Sequence, residues 1–492
     1  MRWATTARAC IAALLFGIAA PAFADSLPQS AQAIAEAALA AAPKGTRFGL
    51  LVVDDAGKVV VSINPDQRFI PASNTKMFTT AAAYALLPGM DQPDVNGATQ
   101  LFLRQGKRKG ERDVLLRGGG DSHLSAAPDC KVDCLATLAD AVAAKTRAVG
   151  DVVGNDTKFP DQRWSPGMSW NNIGSNDATA VSALSLDSNE MIVRVTPGAI
   201  GKPPLLIIPP YVTIRNEAVT IQAGGKATIV LEHMVNSREF RLYGDLPTDG
   251  GEWNDRIGVD DPAHFTAWTF AEMLKSRGVG VKGTVRVEHR PYHPNPLAGL
   301  DPNVIPFPRN EPMFQAGLNP PALAEDVVTI NKISQNHHAE LILRRIGSLH
   351  GFGSLEEGLA SEQAVFDQAG IPREGYDFSD GSGMSTYNRV SPRAAVALLR
   401  WVDGQPWGKA WYASLPIAGV DGTLMKRFVG TPLAGNLIAK TGTLNATNAI
   451  SGAFRAASGK RLTFAFFAND VPDGQTAVPA MEAVLLGIAA SN

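Results

Sequence analysis

Two short motifs, one near each end of the chain, have to meet in the folded protein before either can contribute its chemistry. Ser73-Asn74-Thr75-Lys76 is the only S-x-x-K in the sequence, and Lys440-Thr441-Gly442 is the only K-[S/T]-G. The triplet Ser334-Gln335-Asn336 lies between them. In this order the motifs supply a serine nucleophile with a lysine base, a proton relay and an anion-binding strand. The fold therefore has to bring the two ends of the chain together.

Both ends of the chain carry strand patterns, which allows them to share one sheet. Two β-rich runs near the N-terminus flank a hairpin turn, and three more precede a final helix: 48–53, 58–63, 436–443, 449–454, 461–467 and the helix 477–490. A helix between Pro71 and Pro88 carries the S-x-x-K motif. We predict an α+β architecture in which an antiparallel sheet is covered by helices.

The middle of the chain, from residue 90 to residue 320, has a different character. It contains short strand patterns, many glycines and prolines, and one clear amphipathic helix at 265–277 that ends at Gly278. A proline-rich stretch, 295–321, is the predicted return linker. A segment of this length is too long for a loop, so it indicates one or two inserted domains.

Composition excludes some functional classes. Charged residues make up 19% of the 492 residues and the net charge is −2, so no basic field favours nucleic acid. The eight histidines show no H-E-x-x-H spacing, and adjacent His337 and His338 point to different faces of a helix. We therefore predict neither a metal site nor a cofactor.

The N-terminal 24 residues have the pattern of a secretory signal. Arg2 and Arg8 provide the positive start, residues 9–20 the apolar core, and Ala22-Phe23-Ala24 the cleavage site. A membrane anchor is the alternative, but the apolar stretch is short for a span. We predict a periplasmic protein with at most peripheral membrane association.

After removal of that segment, the chain keeps two cysteines, Cys130 and Cys134. In an oxidising compartment they are suited to a local disulfide. Reduced, inert thiols are the alternative, and the sequence leaves both open.

The S-x-x-K motif has a specific chemical requirement. A serine hydroxyl becomes a good nucleophile when a base removes its proton, and residues three apart on a helix share one face, so Lys76 can reach Ser73. A lysine acts as a base when it is neutral, and burial or a nearby cation lowers its pKa; Lys440 and Lys332 are the candidate cations. The alternative is an N-cap serine followed by an exposed lysine.

The middle motif is predicted to act as a relay and an anchor. Ser334 opens a predicted helix and is placed to pass a proton between Lys76 and a leaving nitrogen, while the Asn336 amide binds the backbone of an acyl substrate. S-x-N also occurs at Ser62 and Ser169, so the order of the motifs and the predicted helix favour Ser334. A simple capped helix is the alternative.

The last motif lies on a predicted strand. Lys440 with the hydroxyls of Thr441 and Thr443 can bind a carboxylate, and Gly442 lets a substrate backbone approach closely. The backbone N–H groups of Thr443 and Ser73 can form an oxyanion hole, worth about 3 kcal/mol per donor. A strand with a polar face is the alternative. The three motifs in this order favour serine acyl transfer.

The chain resembles the class C low-molecular-mass penicillin-binding proteins, the D-Ala-D-Ala carboxypeptidase/endopeptidase family S13. The resemblance spans most of the chain after the signal segment. It rests on P-A-S-N-T-K at 71–76, L-R-G-G-G-D at 116–121, L-S-L-D-S-N at 184–189, I-N-K-I-S-Q-N-H-H-A-E at 330–340, D-G-S-G-M-S at 380–385 and A-K-T-G-T at 439–443.

This resemblance implies a penicillin-binding transpeptidase/β-lactamase-like domain with two nested inserted domains of mainly β or α+β structure. The implied divisions are 25–88 and 322–492 for the catalytic domain, 89–189 and 249–321 for domain II, and 190–248 for domain III. The implied activity is a serine D-Ala-D-Ala carboxypeptidase with DD-endopeptidase activity. Its implied partners are peptidoglycan stem peptides and β-lactam antibiotics, which act as covalent inhibitors.

Carried over by motif, Ser73 is the acylated nucleophile, Lys76 its base and Ser334 the relay. The implied substrate-binding residues are Asn336, Lys440, Thr441, Gly442 and Thr443. Two positions depart from the family pattern. Gln335 replaces an acid whose side chain is expected to point away from the site. Thr386 replaces an arginine associated with the distal carboxylate of the stem-peptide side chain, which changes the expected side-chain specificity.

Two other functions fit part of this pattern. A fast β-lactamase, or a related esterase, needs a deacylating glutamate followed closely by an asparagine after the middle motif; the pair Glu232 and Asn236 has that spacing but precedes it. A non-catalytic peptidoglycan-binding module would keep the motifs as a peptide cradle, which the intact Ser73, Lys76 and Lys440 disfavour.

Overall fold

A computed structural model of the chain describes residues 30–234, 237–292 and 313–492. The predicted signal segment and residues 295–312 of the predicted linker lie outside the described residues. Before residue 90 the elements are α1 (Ala31–Leu39), β1 (Arg47–Asp54), β2 (Val59–Ile63) and α2 (Thr75–Leu86). After residue 320 they are α5 (Leu323–Lys332), α6 (Asn336–Gly347), α7 (Leu355–Gln368), β18 (Tyr376–Asp377), β19 (Arg389–Val390), α8 (Pro392–Asp403), α9 (Gly408–Ala413), β20 (Ile438–Leu444), β21 (Thr447–Arg455), β22 (Arg461–Asn469) and α10 (Val478–Ser491).

The segment between these two parts, residues 90–320, is called the insert below. Its elements are β3 (Gln100–Gln105), β4 (Arg112–Arg117), α3 (Leu135–Ala143), β5 (Ala148–Val149), β6 (Val152–Pro160), β7 (Glu190–Thr196), β8 (Leu205–Ile207), β9 (Thr213–Asn216), β10 (Val219–Ile221), β11 (Val230–His233), β12 (Glu239–Tyr243), β13 (Asp245–Pro247), β14 (Trp253–Gly258), α4 (Pro262–Ser276), β15 (Gly280–Val281), β16 (Val285–Arg290) and β17 (Met313–Gly317). The predicted helix at 265–277 is α4, which begins three residues earlier at an Asp261 cap.

The two ends of the chain form one antiparallel sheet, the main sheet, with strand order β2-β1-β22-β21-β20. Its central pair joins the N-terminal strand β1 to the C-terminal strand β22, with Arg47 opposite Asn469. This confirms the prediction that strands from both ends share a sheet. The K-T-G motif lies on β20, at one edge of the sheet. The start of that strand is bridged on its outer side by Ile417, which pairs with Ile438 just before the motif.

Strand β1 shows why the main sheet is covered on both faces. Successive side chains of a strand point to opposite faces. Leu51 and Val53 belong to the hydrophobic cluster that packs against α2, α5, α6, α7 and α8, whereas Leu50 and Val52 belong to the cluster that packs against α1 and α10. An unbroken apolar run is what a strand buried on both faces requires.

The apolar C-terminal helix α10 is a packing element of this second face. Its buried residues Met481, Val484, Leu485 and Ile488 join the cluster under the main sheet. Its Glu482 accepts a hydrogen bond from Arg427 at 2.5 Å. Among the helices that the structure describes, none has the length and apolarity to cross a membrane.

The insert contains a second five-stranded sheet, ordered β16-β6-β4-β3-β17, and several smaller sheets. Helices α3 and α4 share a hydrophobic cluster with it, and that cluster continues into the strands between residues 190 and 246. We propose that the insert, with one flanking residue at each end, comprises domain II (89–189 and 249–321) and domain III (190–248). Their shared core and the pairing of β7 with β14 make the two a packed unit.

Cys130 and Cys134 form a disulfide, which is one of the two alternatives that the sequence leaves open. The bond closes a loop immediately before α3. Within that loop Asp133 has a φ of 59°, in the left-handed region. A buried acidic residue with an unusual backbone conformation therefore lies inside the disulfide loop, and its neighbours are described further below.

We expect Phe366→Ala to lower the free energy of unfolding by about 3–5 kcal/mol, because it empties a fully buried aromatic position. The Phe366 ring lies edge-on to Phe78 of α2, with centroids 5.4 Å apart, and also contacts Tyr376 and Phe378. Val328→Ala is the matched control, since that side chain is 44% exposed on α5. Urea unfolding of both variants measures the difference, and equal midpoints would contradict this account of the core.

Candidate active site

Ser73 lies in a tight 3-10 turn, Ala72–Asn74, immediately before α2. Ala72 has a φ of 47°, a conformation that is uncommon for a residue with a side chain. The turn is held to the main sheet, since the Asn74 amide donates to the carbonyl of Lys440 at 3.1 Å. Strained turns that are fixed by their surroundings are common at functional sites.

Lys76 is in the first turn of α2 and is fully buried. Its Nζ lies 2.9 Å from the Oγ of Ser73, which is the contact that the i, i+3 spacing predicts. The same nitrogen donates to Oδ1 of Asn336 and to the carbonyl of Ser382, each at 2.5 Å. The amine is thus surrounded by three oxygens from three separate segments.

These three contacts fit both forms of the amine. The charged form has three N–H donors, which match the three oxygens, and the Ser73 oxygen then accepts the third hydrogen bond. The neutral form has two donors and one lone pair. The Asn336 and Ser382 carbonyl oxygens can only accept, so in the neutral form they occupy the two donors and the lone pair faces the Ser73 hydroxyl.

Burial lowers the pKa of Lys76 to about 8, against the opposing effect of the Asp380, Glu340 and Asp177 charges. Burial also holds the pKa of Lys440 well below its usual value, and the Lys76 charge lowers it further. Burial, rather than a second cation, is thus what lowers the pKa of Lys76, and the coupling between the two lysines is seen in the lowered pKa of Lys440. The amine of Lys332, the other candidate cation, is paired with Asp421 at 2.6 Å.

The middle motif joins the other two. The Nζ of Lys440 donates to the Oγ of Ser334 at 3.0 Å, and Asn336 already contacts Lys76. The sequence predicted that Ser334 opens the helix, but α6 begins at Asn336. Ser334 lies two residues before it and has a φ of 65°. This left-handed residue is part of the turn that leads into α6.

Gly442 lies where β20 comes close to the turn that carries Ser73. A Cβ at this position would lie 2.7 Å from the carbonyl oxygen of Pro71 and 3.1 Å from the nitrogen of Ser73. A larger residue would therefore push the strand and the turn apart. Next to it, the hydroxyls of Thr441 and Thr423 are 2.6 Å apart, a contact that no sequence motif indicated.

The motifs line a common cavity of about 600 Å³. Ser73, Ser334, Asn336 and the strand residues Thr441 to Thr443 form one part of its wall. The insert forms another part, and its lining residues are Ser169, Asn171, Asn172, Ser175 and Asp177. The structure thus places all eight predicted site residues together, since Lys76 and Lys440 lie directly beneath this wall through their bonds to Ser73 and Ser334.

Several residues that support Lys76 were not identified from sequence. The Glu340 carboxylate accepts from the N–H groups of Gly381 and Ser382, which fixes the Ser382 carbonyl beside the amine. Burial raises the pKa of Glu340 to about 7. Asp380 accepts from the N–H of Gly383 at 2.8 Å and so closes the same turn. The D-G-S-G-M-S block was the available signal, but its role as a backbone support is visible only in the structure.

The insert also contributes a contact that has no sequence signal. The carbonyl of Asp177 accepts from the Asn336 amide at 2.8 Å, so the insert fixes the side chain that in turn contacts Lys76. A backbone carbonyl is offered by every residue type. For this reason no residue pattern in the insert indicated it.

The two departures from the family pattern occupy different places. Gln335 points away from Lys76, as expected: its side chain caps α6 by accepting from the N–H of His337 and also donates to Glu190. Thr386 lines the cavity, and its hydroxyl donates to the carbonyl of Gly167. The second departure therefore changes the cavity wall, whereas the first does not.

Comparison with known proteins gives consistent results. The profile of the D-Ala-D-Ala carboxypeptidase 3 (S13) family matches residues 30–305 and 310–489. A D-alanyl-D-alanine carboxypeptidase of Actinomadura sp. strain R39 is 33% identical over 432 residues, covering 83% of this chain and 75% of the relative. The D-alanyl-D-alanine carboxypeptidase DacB of Haemophilus influenzae is 23% identical over 449 residues, covering 88% of this chain and 87% of the relative.

The crystal structure of penicillin-binding protein 4 from Haemophilus influenzae is similar in fold, with a TM-score of 0.77 and 19% identity. The match covers 92% of this chain and 97% of that protein. It confirms the predicted fold class, an antiparallel sheet covered by helices with a large insert. Because the family profile covers nearly all of the chain from residue 30 onward, this protein belongs to the D-Ala-D-Ala carboxypeptidase 3 (S13) family.

Proposed function

We propose that this protein is a serine D-Ala-D-Ala carboxypeptidase that acts on peptidoglycan stem peptides through an acyl-enzyme on Ser73. The observation that carries the proposal is the position of the buried Lys76 amine, 2.9 Å from the Ser73 hydroxyl with its two donors engaged elsewhere. A serine in contact with a buried, low-pKa base is the arrangement that nucleophilic catalysis requires.

The reaction proceeds in two steps. Ser73 gives its proton to Lys76 as its Oγ attacks the penultimate carbonyl carbon, and the oxyanion is held by the N–H groups of Ser73 and Thr443. The C–N bond then breaks, and the proton held by Lys76 is passed through Ser334 to the departing D-alanine nitrogen. In the second step the neutral Lys76 takes a proton from water as the water oxygen attacks the ester. Lys76 returns that proton to the Ser73 oxygen as the acyl C–O bond breaks and the shortened peptide leaves.

The strand β20 is suited to the free end of the substrate. Lys440, Thr441 and Thr443 bind the terminal carboxylate, with Gly442 leaving room for the backbone, and Asn336 binds the acyl side. The contact between Lys440 and Ser334 at 3.0 Å links carboxylate binding to the proton relay. A β-lactam places its carboxylate and its reactive carbonyl at the same two positions, so it acylates Ser73 and remains attached.

The same acyl-enzyme supports DD-endopeptidase activity, in which the leaving nitrogen belongs to the side chain of a cross-linked peptide. The cavity of about 600 Å³ has room for more than one alanine, and the insert supplies part of its wall. We further propose that the protein is exported by its N-terminal 24 residues and acts in the periplasm, where these substrates are found.

We expect Ser73→Ala to abolish covalent labelling by a fluorescent penicillin and the release of D-alanine from a pentapeptide. Ser62→Ala is the matched control, because Ser62 belongs to an S-x-N triplet on β2, away from the cavity. Intact-mass analysis after incubation with penicillin identifies the adduct. An adduct on the Ser73→Ala protein would contradict the proposed nucleophile, and rapid turnover of nitrocefin by the wild type would favour a β-lactamase instead.

The rate of acylation is expected to rise about tenfold per pH unit below pH 8 and to level off above it. The acylation rate is expected to rise with pH because the pKa of Lys76 is lowered to about 8, and the neutral base becomes more abundant as the pH rises towards that value. The measurement is the second-order rate constant for a fluorescent penicillin between pH 5.5 and 9. A rate that does not change between pH 6 and pH 8 would show that this amine is not the base.

Gly442→Ala should slow acylation by about ten- to a hundredfold, since the added Cβ forces β20 away from the Ser73 turn at a cost of about 1–3 kcal/mol. Gly280→Ala, on β15, is the control because a Cβ there meets only the Arg147 carbonyl at 3.8 Å. Stopped-flow labelling compares the two variants. An unchanged acylation rate in the Gly442→Ala variant would show that acylation does not require β20 to lie close to the Ser73 turn.

A further inference from the structure

A cluster of potential metal ligands lies outside the active site, where the insert meets the helices of the main sheet. His123 follows β4 in the insert, Asp326 is on α5 and His338 is on α6. One nitrogen of each histidine and one oxygen of Asp326 lie within 4.8 Å of one another. The Nε2 of His123 and the Nδ1 of His338 are each 2.9 Å from the same oxygen, Oδ1 of Asp326.

Hydrogen bonding accounts for part of this arrangement, because the Nδ1 of His338 and the Oγ of Ser122 both contact Oδ1 of Asp326. The Nε2 of His123 is buried and lies 2.9 Å from the same oxygen, but the geometry of this contact is poor for a hydrogen bond. A metal ion seated beside that oxygen, at bonding distance from both atoms, would bind the lone pair of this nitrogen.

The remaining nitrogen of His338 is positioned as it would be in a metal ligand. Its Nε2 lies 3.1 Å from the Oγ of Ser188. A histidine that binds a metal through one nitrogen usually donates its other N–H to a neighbouring oxygen, which fixes the ring and its tautomer. Asp326 is supported in the same way, because Ser122 donates to its Oδ1 at 2.5 Å.

A second, independent observation is the excess of unpartnered carboxylate next to the cluster. Asp121 and Asp133 are 3% and 6% exposed, and three of their four carboxylate oxygens have no hydrogen-bond partner. A buried polar atom without a partner is costly, and a cation beside these oxygens would offset that cost.

We propose that His123, Asp326 and His338 bind a divalent transition-metal ion of the zinc type, with the Asp121–Asp133 pair supplying further negative charge beside it. Two imidazole nitrogens and one carboxylate oxygen form a borderline ligand set that suits Zn²⁺, at bond lengths of about 2.0–2.2 Å. Mg²⁺ and Ca²⁺ prefer six or more oxygen ligands, so they fit this set poorly.

The sequence did not predict this site, because the adjacent pair His337 and His338 was expected to point to different faces of a helix. The three ligands instead come from segments that are distant in the chain, and His337 takes no part. Its Nε2 is 2.9 Å from the Nδ2 of Asn189, and burial lowers its pKa to about 3.

The ion would act as a structural clamp between the insert and the main part of the protein. It would join the segment after β4 to α5 and to the first turn of α6. His338 is two residues from Asn336, so the ion would also steady the turn that carries the substrate-contacting amide. It takes no part in the acyl chemistry, and the proposal stands independently of that chemistry.

The test uses the untagged protein without its first 24 residues, stripped with a chelator and dialysed against trace Zn²⁺. We expect one zinc per chain by elemental analysis and a rise in melting temperature, since a ligand that binds only the folded state stabilises it. Co²⁺ in place of Zn²⁺ should give visible ligand-field absorption that Zn²⁺ displaces. A wild-type protein that retains no zinc and gives no cobalt spectrum would overturn the proposal.

Three variants locate the ion. His123→Gln and His338→Gln should each lose stoichiometric zinc and the cobalt spectrum, while circular dichroism and penicillin labelling report whether the chain is folded. His350→Gln is the matched control, because His350 is exposed after α6 and away from the cluster. His123 is the more exposed ligand, so its variant remains informative if the His338 variant does not fold. Unchanged zinc binding by folded His123→Gln would place the ion elsewhere and overturn the assignment.

Discussion

The burial of one lysine amine is the constraint on which the rest of the site depends. Removing a charged ammonium from water is unfavourable, so the amine at this position is stable only when its hydrogen bonds are satisfied. Lys76 meets that requirement through Asn336 and Ser382, which come from α6 and from the turn after β18. The remaining contact, to Ser73, is the one with chemical consequence. The fold therefore provides the proposed base by burying this amine among oxygens.

Much of this site was predictable because its chemistry depends on side chains in short, ordered motifs. The i, i+3 spacing of Ser73 and Lys76 fixes their contact, and the apolar strand runs at both ends of the chain require a shared sheet. The supporting atoms were not predictable, because many of them are backbone carbonyls and N–H groups. The carbonyls of Ser382 and Asp177 contact the site, but any residue type offers the same atom. Lys332 shows that a side chain of the right type near a motif can have another partner, since its amine forms an ion pair with Asp421.

The insert contributes directly to the candidate active site. Through Asp177 it holds Asn336, through residues 169–177 it walls the cavity, and through His123 it reaches Asp326 and His338. The first and the third of these connections converge on the first turn of α6 or on the helix before it. The geometry of the relay motif is consequently set by two parts of the chain, and a change in how the insert packs would alter the substrate end of the site.

The pairing of β1 with β22 has a consequence for how the protein is made. The central hydrogen bonds of the main sheet join residues 47–54 to residues 461–469, so that sheet cannot close before β22 is available to pair. Pairings between distant segments form slowly because loop closure is costly. The insert, whose partners lie within one continuous stretch, is free of this delay. Its assembly can precede that of the sheet, and the newly made N-terminal strand then has to wait, unpaired, for its C-terminal neighbour.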